Sequence, residues 1–199
     1  MLTPPTYPLR PVNGGPLDQA QPKHGAWVYE PKYNGWRALI HIATGAMFNR
    51  HGKPLSIQDE FKPALAQLRT TLDAEAFQWA DCEALERRHG LGRGCLLVLD
   101  VIPEPHEKHA AYQHRRDWLE AVLPEPDLNP TYRPFPLLSL PPAVYGDLDV
   151  WRDLQGLNRR LNCDFYEGLV AKRADSLYPR QLRSDKSEFP FWMKHRWAW

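Results

Sequence analysis

Residues 30–40, "EPKYNGWRALI", decide how this chain reads. Aromatic and β-branched residues lie on both sides of the Asn-Gly pair: "WVY" (27–29) precedes it and "WRALIHI" (36–42) follows. The stretch therefore predicts two strands meeting at a turn, with Lys32 at the strand end. Lysine is a poor nucleophile while protonated and needs desolvation or cationic neighbours before its amine reacts. Gly35 lets the backbone turn sharply and lets a ligand come close, and Tyr33 and Trp36 supply apolar walls. A K-x-N-G tetrapeptide alone is more often a turn with a surface lysine. The rest of the chain has to decide.

At 199 residues, 43% hydrophobic and 25% charged, the chain is long enough to bury a sizeable core without staples. Its three cysteines, Cys82, Cys95 and Cys163, form no C-x-x-C pair, so neither a disulfide framework nor a structural zinc site is expected. The N-terminus has no basic-then-apolar leader and no run long enough to cross a bilayer, which predicts a cytoplasmic protein without membrane contact. A net charge of +1 excludes binding of nucleic acid through overall charge. Locally, however, residues 172–199 hold seven basic against three acidic residues, a plausible phosphate-binding end.

Outward from the central stretch, residues 1–24 are rich in Pro and Gly and read as an extended surface segment, with one domain over 25–199. Phe61, Leu65, Leu68 and Leu72 recur at helical spacing, as do Val150, Leu154, Leu157 and Leu161, and "AAYQHRRDWLEAVL" (110–123) reads as a helix with Tyr112, Leu119, Val122 and Leu123 on its apolar side. "FQWADCEALE", "GCLLVLDVI", "YEGLVAKR" and "FPFWMKHRW" read as strands, and "FPLLSL" as a short edge strand. Strands and helices mixed without βαβ alternation predict an α+β fold of antiparallel sheets flanked by helices. His106 and His109 read as part of a solvated loop rather than a metal site.

Six short stretches then fall in order: "KYNGWR" (32–37), "NRHGK" (49–53), "DCEAL" (81–85), "LLVLD" (96–100), "EGLVAK" (167–172) and "WMKHR" (192–196). This series resembles the adenylation domain of ATP-dependent polynucleotide ligases, a family of the covalent nucleotidyltransferases with an ATP-grasp-like fold, and looks most like its bacterial DNA-repair branch. The resemblance implies that Lys32 attacks the α-phosphate of ATP and carries AMP, which passes to a 5′-phosphate end and is displaced by a 3′-hydroxyl. Lys172, Lys194 and Arg196 are then the cations that neutralise the α-phosphate beside the lysine. Glu167, Asp81 and Glu83 are the expected magnesium ligands, the last two sharing one strand face by their spacing. Glu30, Tyr33, Asn34, Gly35, Arg37, Arg50, Glu83 and Leu99 complete the expected nucleotide-binding set, with Arg37 and Arg50 reaching sugar or phosphate and Glu30 the adenine amino group.

Three departures from the family qualify the reading. Asn34 stands where DNA ligases carry Asp, which raises the weight of RNA sealing. Leu99 replaces the aromatic residue that stacks on adenine. The family's pattern continues into an oligonucleotide-binding fold, which this sequence lacks, so a minimal ligase or a partner protein supplying that fold is expected. The alternatives are an RNA ligase and a degenerate fold that binds a nucleotide or nucleic-acid end without chemistry; retention of Lys32, Glu167, Lys172 and Lys194 weighs for catalysis.

Overall fold

The computed structural model describes residues 2–20, 23–85, 91–103, 110–129, 135–181 and 187–197. His106 and His109 lie outside these residues.

In chain order the elements are β1 (Tyr7–Pro8), β2 (Arg10–Pro16), β3 (Trp27–Tyr33), β4 (Trp36–His41), β5 (Ala46–Asn49), α1 (Lys62–Thr71), β6 (Trp79–Leu85), β7 (Cys95–Ile102), α2 (Tyr112–Val122), β8 (Leu138–Ser139), β9 (Val144–Tyr145), α3 (Leu154–Leu161), β10 (Tyr166–Arg173), β11 (Arg180–Gln181) and β12 (Glu188–Arg196). Two five-stranded sheets dominate, in the orders β2-β12-β10-β3-β9 and β5-β4-β6-β7-β8, with β1 and β11 forming a small ribbon. Both are antiparallel except at one edge, where β2 joins β12 and β8 joins β7 in parallel. The fold is α+β, as the mixed pattern predicts. β8 confirms a short edge strand within "FPLLSL".

Alternation explains how each sheet divides its faces. Ala38, Ile40, Ala80, Cys82, Leu96 and Val98 of the second sheet pack with Phe61, Leu65 and Leu68 of the α1 region and with Leu119 of α2. A second core joins Tyr29, Leu169 and Ala171 of the first sheet to Leu154 and Leu157 of α3, and reaches Leu85 and Leu97 of the second sheet. The two sheets thus close on each other at one end and leave a cavity at the other.

Two expectations are corrected. Residues 1–24 are not merely draped over the surface. β2 is hydrogen-bonded into the first sheet, and Leu17 and Ala20 are buried in its core. A Pro-rich segment can do this because β2 lies at the sheet edge, where a missing N–H is tolerated. In α2, Val122 is exposed, while Arg115 and Arg116 are buried. Arg115 holds Asp100 of β7 with two hydrogen bonds, 2.7 and 2.8 Å, and it is this pairing that makes burial of the guanidinium tolerable. No helix among the described residues is long and apolar enough to cross a membrane.

Candidate active site

The cavity holds about 490 Å³ between the sheets, the size of a small-molecule site. Register places its first wall. Across β3, β10 and β12, Lys32 faces Gly168, which faces Arg196; Glu30 faces Val170, which faces Lys194; Val28 faces Lys172, which faces Trp192. Because alternate residues share a face, these three rows present one surface, and all but Val28 and Gly168 line the cavity.

Glu167 has the wrong parity for that surface, yet it lines the cavity too. The register of β10 against β3 slips between Tyr166 and Gly168, and this bulge turns the carboxylate inward. Gly168 sits at φ +139°, and an added Cβ would lie 1.9 Å from the carbonyl oxygen of His195. The bulge requires glycine. Glu167 consequently accepts a hydrogen bond from Lys32 Nζ and another from Arg196 Nη2 at 2.8 Å. Burial acts to raise the Glu167 pKa, but Lys32 and then Arg196 hold it below its ordinary value. Lys194 is lowered by burial and by the like charges of Arg196, Lys32 and Arg10, against the pull of Glu188.

The opposite wall comes from β4, β6 and β7. Gly35 N–H donates to Glu83 Oε1 at 2.9 Å, and a Cβ on Gly35 would meet the carbonyl oxygen of Ala84 at 2.7 Å. The turn after Lys32 can therefore press against β6 only as glycine. Burial pushes the Glu83 carboxyl up to about 7, although Lys32, the Gly35 amide and Arg37 all work to lower it and Glu167 adds to the rise. Tyr33 anchors the strand end by packing its ring edge-on against Phe135 and Phe165. Arg50 and Leu99 line the cavity as expected, Leu99 also offering its carbonyl to Lys172.

Four sequence expectations are altered. Lys172 lies two rows, or four residues along β10, from the Lys32 row, roughly 13 Å at strand spacing. It is not in the row of the Lys32 amine. Instead it forms the cavity floor with Glu30, whose Oε2 it meets at 2.8 Å, beneath the rings of Tyr112 and Trp192. Glu30 is further engaged by Arg116 and the Tyr112 hydroxyl, so its carboxylate is already saturated with donors.

Asp81 does not serve as a cavity ligand. It is fully buried, with its oxygens taken by Arg37 at 2.9 and 2.6 Å and by the Tyr178 hydroxyl at 2.7 Å. Arg37 lines the cavity, but its fork is spent on Asp81 and its Nη1 on the Leu9 carbonyl at 3.3 Å. The Asn34 amide donates to the Asp164 carbonyl at 3.1 Å, tying the turn to the loop before β10, and Asn34 does not line the cavity. Sequence reasoning does not pick out Arg10, which lies in no motif, or Tyr112, which reads as helix core; Trp192 opens "WMKHR" and reads as a stacking surface for single-stranded nucleic acid or, more simply, as a sheet-packing ring.

Among the described residues no group of three or more His, Cys, Asp or Glu is placed to hold a metal. Three carboxylates line the cavity, Glu30, Glu83 and Glu167. With Glu30 held by Lys172, Arg116 and Tyr112, the other two are the oxygens that suit magnesium, which keeps several waters and needs only one or two protein oxygens beside phosphate.

No protein-family model and no curated protein matches the chain. Solved structures do. The ligase domain of M. tuberculosis LigD is similar over 96% of this chain and 59% of its own length, at 20% identity and a TM-score of 0.57. Mycobacterial DNA ligase D complexed with ATP and MES is similar over 96% and 60%, at 19% identity and 0.58. The ATP-dependent DNA ligase of bacteriophage T7, in complex with ATP, is similar over 96% and 69%, at 17% identity and 0.54. The chain thus spans about 60% of the length of the mycobacterial structures. Its fold is that of the nucleotidyltransferase ligase domains of ATP-dependent DNA ligases.

Proposed function

We propose that this chain is the adenylation domain of an ATP-dependent DNA ligase, forming a lysyl-AMP intermediate on Lys32 and sealing 5′-phosphate/3′-hydroxyl nicks. The observation that carries the reading is the convergence of Lys32, Glu167 and Arg196 on the Gly168 bulge, in a cavity that also holds Lys194 and Glu83.

The chemistry follows from these groups. Lys32, released from Glu167 and deprotonated, bonds to the α-phosphorus of ATP while the bond from that phosphorus to pyrophosphate breaks. Arg196, one row-mate away, and Lys194 in the next row stabilise charge on the α-phosphate oxygens, where positioning and cations supply most of the catalysis. Magnesium, when bound, would be held by Glu83 and Glu167 and would neutralise phosphate oxygens. Leu99, Val170 and Trp192 offer apolar contact to the base above the Lys172–Glu30 floor. AMP then passes to a 5′-phosphate, and a 3′-hydroxyl displaces it. An oligonucleotide-binding fold, on a partner protein or on a longer chain, would complete the grip on nucleic acid.

The hydrogen bond from Asn34 to Asp164 gives that residue a structural role that is independent of the substrate, so Asn34 by itself does not favour RNA.

Intact mass before and after ATP and magnesium tests the reading. A gain of one AMP that Lys32→Ala lacks is expected, followed by sealing of nicked DNA in preference to nicked RNA. No gain, with no AMP carried from expression, or equal gain in Lys32→Ala, overturns it.

A further inference from the structure

Arg10, on β2 and outside every motif, lines the cavity and has no part in that scheme. The chain delivers it to the rim in two ways. Arg37 Nη1 holds the carbonyl of Leu9, the preceding residue, at 3.3 Å, and the Arg10 amide donates to the Ser187 carbonyl at 3.2 Å, beside the start of β12. The guanidinium that emerges has no ion pair or hydrogen bond among the described residues. Across the rim stands Arg50, whose only hydrogen bond among them is from Nε to His51 at 3.1 Å.

These cations repel one another. After burial, the charge of Arg10 is the next cause that lowers Arg50, ahead of Arg37, and it adds to the lowering of His51 and of Lys194. Arg37 is neutralised by Asp81, and Lys32 and Arg196 by Glu167, but no carboxylate among the described residues forms an ion pair with Arg10 or Arg50. Positive charge gathered at a cavity mouth without a counter-ion attracts an anion, and two forked guanidinium groups suit phosphate oxygens.

We infer that Arg10, delivered by an N-terminal strand outside every motif, joins Arg50 in a phosphate clamp at the cavity rim, taking a phosphate other than the one that reacts with Lys32. This rests on the nucleotidyl-transfer reading above. The phosphate has two possible sources: the terminal phosphates of ATP, or the 5′-phosphate of a nicked duplex.

Arg10→Met keeps the aliphatic stem and Arg10→Lys keeps the charge. Both are made in a Lys32→Ala background so that binding is read without turnover. Calorimetric titration with ATP, AMP, inorganic pyrophosphate, and nicked duplexes ending in 5′-phosphate or 5′-hydroxyl separates the cases. If the source is the nucleotide, Arg10→Met weakens ATP and pyrophosphate by about tenfold and leaves AMP unchanged. If it is nucleic acid, the loss falls on the 5′-phosphate duplex alone, and the slope of log K against log salt shrinks by about one. Partial rescue by Arg10→Lys is expected in either case. Unchanged binding of every probe overturns the clamp, as does an equal loss for all probes, AMP included, that Arg10→Lys fails to restore. Binding of no probe by the Lys32→Ala parent overturns the clamp and the parent reading together.

Discussion

Lys172 Nζ lies 2.8 Å from Glu30 Oε2, with both side chains almost wholly removed from solvent at 3% and 2% exposure. The pair bridges β10 and β3 at the cavity floor, and each partner is what makes burial of the other tolerable.

Removing one partner should therefore cost more than a surface ion pair would. Glu30→Ala leaves the buried Lys172 without its anion and takes one of three carboxylates from Arg116, which keeps Glu120 and Glu125, and is expected to lower unfolding free energy by about 3–5 kcal/mol. Urea unfolding at neutral pH measures it; a loss under about 1 kcal/mol would mean that solvent reaches the floor.

Glu83 predicts a pH dependence. Its carboxyl is raised to about 7 by burial, so between the ordinary carboxylate value and pH 7 the folded state holds a proton that the unfolded state has released. The contribution is fully present at pH 4, is lost as pH rises through 7, and amounts to roughly 3 kcal/mol. Glu83→Gln keeps an acceptor for the Gly35 amide and cannot ionise. The variant should gain stability relative to the parent from pH 5 to 8, and parallel curves would refute the shift.

Gly168→Ala tests the bulge. A methyl group there would meet the His195 carbonyl at 1.9 Å, on a backbone at φ +139° that alanine avoids. A loss of order 3 kcal/mol or more is expected, together with loss of AMP transfer, because the same bulge aims Glu167 at Lys32. Thermal unfolding and intact mass read the two effects separately.

Asn34→Asp introduces the carboxylate that DNA ligases carry here by the motif resemblance but removes a donor from the Asp164 carbonyl. The expected result is a loss of about 1 kcal/mol without faster AMP transfer. Faster transfer, followed by single-turnover mass measurement, would return this position to the chemistry.

The element order and the motif-bearing strands were legible because they depend on short-range patterns. Aromatic and β-branched residues beside the Asn-Gly turn marked β3 and β4, short strand-like stretches marked β6, β10 and β12, and helical spacing marked α1 and α3. Alternation also gave the shared face of Asp81 and Glu83 correctly. It could not say that Glu83 opens onto the cavity while Asp81 is sealed beneath Arg37 and Tyr178, since Tyr178 arrives from 97 residues away. Likewise "EGLVAK" identified Glu167 and Lys172 together, but the bulge at Gly168 and the pairing with β3 sent one to the Lys32 row and the other to the floor. What the sequence determined by itself was which residues could do phosphate chemistry. Their neighbours, and hence their charge state and reach, were decided by strand register, by one glycine-dependent bulge and by an N-terminal strand whose Arg10 carries no local signal, because burial and counter-ions are properties of segments far apart in the chain.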